Sequence, residues 1–119
     1  MSGVLRQVSK AVFAVGDRLL PDLPGPRILI YHQVGGGSDL EMEVAPDAFR
    51  SHVEWLADNA DVVPLERAEG TDSVVLTFDD GYRSLYEEAF PLLQKRRMPF
   101  TLFLTTAPVE TGEPLREHP

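Results

Sequence analysis

The apolar positions of residues 4–20 fall at Val4, Val8, Ala11 and Val15, with Leu5, Val12 and Leu19 alongside. Spacings of three, four and seven describe one stripe of a helix. Arg6, Lys10, Asp17 and Arg18 interrupt the run, so no continuous apolar segment of a signal peptide is evident. Pro21, Pro24, Gly25 and Pro26 end the helix and form a short stiff connector. Residues 1–26 are therefore predicted to be an amphipathic helix and connector that packs on the domain or on another subunit. Peripheral contact with an anionic membrane surface is the alternative.

From Arg27 the period changes. Arg27 to Val34 is β-branched and aromatic and stops at Gly35-Gly36-Gly37, which predicts a buried strand and a flexible loop. Phe49, Val53, Leu56 and Ala57 recur at helical spacing behind Pro46 and Asp47, which predicts a helix over about residues 47–59. Asp61 to Leu65 reads as a short edge strand, since Pro64 cannot serve a central one. Ser73 to Phe78 is the clearest strand and runs into Asp79-Asp80-Gly81. Ser84 and Glu87 have the spacing of a capping box, ahead of a helix with Leu85, Ala89, Leu92 and Leu93 on its apolar face. Pro91 kinks that helix or starts its second half. Lys95, Arg96 and Arg97 fall in its last turn, where cations favour the helix dipole. Phe100 to Thr106 is a further buried strand, and residues 107–119 read as loop. Strands alternating with helices predict parallel βα units.

Composition narrows the options. The chain has 119 residues, at most one domain, and no cysteine, which excludes disulfide frameworks and thiolate chemistry. Residues 1–27 carry +2, from four cations against Asp17 and Asp22, so the remainder carries −10 of the net −8. An acidic body of this kind argues against nucleic acid, whose phosphates need clustered Lys and Arg. No run of apolar residues is long enough to span a bilayer.

Candidate chemistry gathers at Asp79 and Asp80. In α/β folds functional groups collect at the carboxyl ends of strands. Adjacent side chains on a strand point to opposite faces, so the two acids converge only where the strand breaks, and Gly81 supplies a break. One carboxylate can then hold a cation while the other accepts a proton from water. A receiver-type phosphoacceptor domain fits poorly, because the only lysines, Lys10 and Lys95, lie on predicted helices.

Thr77-Phe78-Asp79-Asp80-Gly81-Tyr82 resembles the first motif of polysaccharide deacetylases, the NodB-homology domain of carbohydrate esterase family 4. Ile30-Tyr31-His32-Gln33-Val34, the helix from Phe49 to Leu56 and Pro99 to Leu104 resemble that family too, so the similarity covers residues 27–106. The resemblance implies an α/β fold, a distorted (β/α) barrel of the glycoside hydrolase/deacetylase type, with residues 27–119 as a partial domain. It implies a hydrolase acting on carbon–nitrogen bonds other than peptide bonds, removing N-acetyl or O-acetyl groups from an acetylated carbohydrate with the help of a divalent metal such as zinc. By motif match Asp79 is the catalytic base and Asp80 a metal ligand. His32, at the end of a strand beside that of Asp79, is read either as lining the site or as a structural histidine bonded to a nearby loop.

Family members take two further ligands from a later His-x-x-x-His, followed by Arg, Asp and His motifs. Here His32, His52 and His118 are the only histidines and none forms such a pair. His52 is expected to serve packing or the surface. The expectation is that these residues hold the N-terminal half of the barrel, inactive alone and prone to self-association through exposed strand edges. A non-catalytic remnant or partner-binding module is the alternative. No export signal is recognised, so cytoplasmic or membrane-peripheral placement is the default.

Overall fold

In the computed structural model the described residues are 24–37 and 41–115; the predicted helix of residues 4–20 lies outside them, as does His118. The strands are β1 (Arg27–Tyr31), β2 (Gln33–Val34), β3 (Glu43–Val44), β4 (Asp61–Val62), β5 (Ser73–Asp80) and β6 (Thr101–Leu104). The α-helices are α1 (Pro46–Asn59), α2 (Phe90–Lys95) and α3 (Thr106–Thr111), with a π-helical stretch Leu85–Ala89 leading directly into α2. Every strand pairing is parallel. β5 is central. β1 lines one edge of it, while β4 pairs with its start and β6 with its end along the other edge.

The alternation of β5 sorts the sheet into two unlike faces. Val74, Leu76 and Phe78 point to the helices and are buried with Phe49, Val53 and Leu56 of α1 and with Leu85, Ala89 and Leu93. Tyr31 and Phe78, register partners, stack at 5.4 Å between ring centroids, and Phe49 meets Tyr31 edge-on at 5.1 Å. The register puts Ile28, Ile30 and Phe103 on the opposite face, beside Val75, Thr77 and Asp79. On that face Ile28, Ile30 and Phe103 of the flanking strands are 50%, 61% and 53% exposed, while Val75 and Thr77 of β5 are buried.

Several expectations change. The strand from Arg27 divides, because β1 ends at Tyr31 and Gln33–Val34 join a separate two-stranded sheet with Glu43–Val44. Neither β1 nor β6 is a buried strand; among the described residues each pairs only with β5, and most of its side chains are exposed. The capping box does not form. Ser84 has helical backbone angles and its Oγ accepts the Val34 N–H at 3.3 Å, while Glu87 pairs with Arg83 at 2.8 Å. Arg96 is tied to Glu54 of α1 at 2.9 Å, so part of the basic run joins two helices as well as facing a dipole. Thr106, expected to end the last strand, and residues 107–111, expected as loop, form α3, stopped by Gly112 at φ 72°. The helix α1 starts one residue earlier than expected, with Pro46 in its first turn. β4 is an edge strand as expected, and Pro91 falls at the start of α2.

Candidate active site

The site is assembled by register. Tyr31 of β1 and Phe78 of β5 are partners with both side chains buried on the helix side. The next residue on each strand must face the other way, so His32 and Asp79 emerge side by side on the open face. His32 Nε2 lies 3.5 Å from Asp79 Oδ2, with the two side chains 26% and 37% exposed. Two of the three expected site residues are thus brought together, and Asp79 is within reach of solvent. His52, expected to serve packing or the surface, is exposed on α1, with its Nδ1 3.1 Å from the Tyr31 hydroxyl. Burial raises the Tyr31 hydroxyl above the ordinary tyrosine range.

Asp80 turns out of the strand by its own backbone. It has φ 73°, and the Gly81 N–H donates to the Asp79 carbonyl at 2.9 Å. This is a three-residue γ-turn centred on Asp80, with the break one residue ahead of Gly81. Such turns are rare and strained, and aspartate tolerates positive φ better than most residues. Gly81 continues the left-handed path at φ 85°, where an added Cβ would collide with Leu104 Cδ1.

Thr105 secures the turn. Its N–H donates to the Asp80 carbonyl and its hydroxyl to Asp80 Oδ1, each at 3.3 Å. Sequence reasoning did not single out Thr105. The signal lies in the register, because Leu104 pairs with Asp80 and the following residue is delivered to the carboxylate.

The donor set falls short of a complete metal site. Among the described residues no group of three or more histidine, cysteine or acidic side chains converges on one point. A zinc-type ion takes about three or four protein ligands, and Asp80 offers one carboxylate while the His32 Nε2 faces Asp79. No described helix is long and apolar enough to cross a membrane.

The polysaccharide deacetylase family profile matches residues 66–117. A putative polysaccharide deacetylase of Bacillus subtilis, YxkH, is 34% identical over 65% of this chain and 30% of its own length. The poly-β-1,6-N-acetyl-D-glucosamine N-deacetylase of Escherichia coli K12 is 36% identical over 49% of this chain and 10% of its own length. Among solved structures, IcaB of Ammonifex degensii superposes with a TM-score of 0.62 at 28% identity, over 70% of this chain and 39% of that one. The Streptococcus pyogenes deacetylase PplD, solved with acetate, gives 0.65 at 25% identity, over 75% and 46%. The chain therefore spans less than half the length of these relatives, and its sheet corresponds to part of the deacetylase barrel. In sequence and in fold, the chain is similar to part of the polysaccharide deacetylase domain.

Proposed function

We propose that this chain supplies the catalytic base and one metal ligand of a metal-dependent carbohydrate deacetylase. The reading rests above all on the Asp79–Asp80 pair at the carboxyl end of β5, one acid facing the open side of the sheet and the other turned away by the γ-turn. Asp79 is the base that takes a proton from the attacking water. His32 stands against its carboxylate, so Asp79 keeps one orientation as the proton arrives. Asp80 is one ligand of a divalent cation, zinc by preference, and the remaining ligands come from parts of the domain other than residues 24–115. When bound, the cation supplies a Lewis acid for the acetyl carbonyl. Thr105 fixes the Asp80 carboxylate through a hydrogen bond to one of its oxygens.

The likeness to polysaccharide deacetylases and the name of the Escherichia coli relative support the substrate class. Acetylated polysaccharide or oligosaccharide fits, with N-acetyl groups ahead of O-acetyl groups. We read residues 27–119 as part of the deacetylase domain and residues 1–26 as an appendage to it. The face of Ile28, Ile30 and Phe103 is the inner side of the barrel, covered by the rest of the domain. The 119-residue chain alone therefore self-associates, and it holds less than stoichiometric zinc.

The test is acetate release from N-acetylglucosamine oligomers by the protein containing this chain. Release that Asp79→Asn abolishes is the expected result. No release from the metal-loaded protein, across N-acetylated and O-acetylated substrates, overturns the enzyme reading in favour of a non-catalytic module. Size exclusion of the 119-residue chain checks the association separately, and a monodisperse monomer contradicts it.

A further inference from the structure

The helix α1 ends by presenting an indole to a groove. Trp55 lies one turn before the last residue of α1, and Asn59 Nδ2 donates to the Trp55 carbonyl at 2.9 Å, which holds that turn. Beside it a groove of about 320 Å³ opens between α1 and the starts of β1, β4 and β5, at the end of the sheet opposite the aspartates. Leu29, Leu56 and Val74 give it an apolar floor. Trp55 is 61% exposed, uncovered among the described residues. Asp61 and Asp72 also line the groove, and both are exposed. The carboxyl end of α1, with no basic residue in its last turn, adds a negative partial charge. Arg27 is the one cation among the lining residues.

We propose that this groove binds amino sugar, holding deacetylated stretches of the polysaccharide apart from the catalytic centre. The proposal rests on the deacetylase reading. In that reaction water adds its hydroxyl to the acetyl carbon, the C–N bond breaks, and the nitrogen leaves with a proton as a primary amine. The amine then takes up a second proton, so the product is a cation where the substrate was neutral. The groove is built to tell the two apart. An indole accepts the C–H face of a sugar ring and attracts a nearby ammonium. Asp61 and Asp72 offer charged acceptors to that ammonium, whereas an N-acetyl sugar gains the stacking alone. Val74 precedes Asp79 by five residues on β5, roughly 16 Å, and their side chains lie on opposite faces. The groove and the base therefore hold different sugars. A second groove, of about 270 Å³ beside Gly81 and Leu104, is lined by Arg83 and by no carboxylate, so it does not select a cation.

Trp55 is the only tryptophan of the chain, and its emission reports occupation of the groove. The full 119-residue chain is titrated with chitosan tetramer, whose sugars are glucosamine, and with chitin tetramer, whose sugars are N-acetylglucosamine. The pH is mildly acidic, so that the amines are protonated. The chitosan tetramer is expected to bind at least about tenfold more tightly, from its charged hydrogen bonds. By calorimetry Trp55→Ala and Asp72→Asn are each expected to weaken it about threefold or more, while Glu66→Gln, an acid outside the groove, changes nothing. All three side chains are exposed, so the fold does not depend on them. Equal affinity for the two tetramers overturns the proposal, as does chitosan binding that Glu66→Gln weakens as much as Asp72→Asn. Tetralysine binding as tightly as chitosan assigns the groove to a basic peptide and overturns it too. The deacetylase reading fails by a different result, the absence of acetate release, and chitosan binding without that release keeps the groove as an amino-sugar site.

Discussion

His32 and Asp79 meet at 3.5 Å because the residues before them, Tyr31 and Phe78, are register partners in adjacent parallel strands. The buried aromatic pair fixes the phase of both strands, and the alternation of side chains delivers histidine and aspartate to the same spot on the other face. A one-residue slip would bury the aspartate and expose the phenylalanine. The hydrophobic core on one side of the sheet thus sets the geometry of the polar pair on the other.

Tyr31 is the place to test that dependence. Its hydroxyl bonds to His52 Nδ1 at 3.1 Å and burial raises its pKa above 10.0. Tyr31→Phe is expected to cost about 1 kcal/mol near neutral pH, the usual worth of such a bond. The neutral phenol is favoured in the folded state, so its stabilising effect is complete below the unfolded value. It fades as pH rises from there through the folded one. Urea midpoints of wild type should therefore fall between pH 9 and 11, roughly spanning the ordinary tyrosine range, and those of Tyr31→Phe should fall less. Parallel pH profiles would show that Tyr31 titrates as it does when exposed.

Gly81 carries the turn after Asp80. At φ 85° a side chain costs roughly 1–2 kcal/mol in backbone strain, and the Cβ meets Leu104 besides. Gly81→Ala should lower stability by about that amount, read from urea denaturation. An unchanged midpoint would mean that the backbone relaxes out of the left-handed region and that the γ-turn is dispensable.

The sequence made β1, β4, β5, β6, the α1 helix, the parallel order and the aspartate pair legible, because each rests on local pattern, but not β3 or the break at His32. Val74, Leu76 and Phe78 alternate with Val75, Thr77 and Asp79, and both faces of β5 could be read from that. What escaped depends on contacts between distant residues. Thr105 reaches Asp80 only through the pairing of β5 with β6, and sequence spacing holds no trace of it. Ser84 and Glu87 have capping-box spacing, yet the hydroxyl goes to Val34, fifty residues away. Apolar composition also predicted burial for β1 and β6, although composition cannot say whether a second layer covers a face. The six residues of α3 carry no apolar period, so nothing marked them as helical.

Ser84 separates the two readings of its own hydroxyl. Ser84→Ala should cost about 1–2 kcal/mol by leaving the Val34 N–H with no acceptor. Glu87→Ala should be near neutral, within about 0.5 kcal/mol, since its pair with Arg83 is exposed. A capping box would make both substitutions costly, so comparable losses by chemical denaturation would restore it.

The division of labour between the two aspartates is read from the metal bound by two variants. In the metal-loaded protein that contains this chain, Asp79→Asn should keep nearly stoichiometric zinc while losing acetate release. Asp80→Asn should lose zinc affinity by at least about tenfold, because it removes a carboxylate from the metal's own shell. Zinc lost from Asp79→Asn and retained by Asp80→Asn would exchange the two roles.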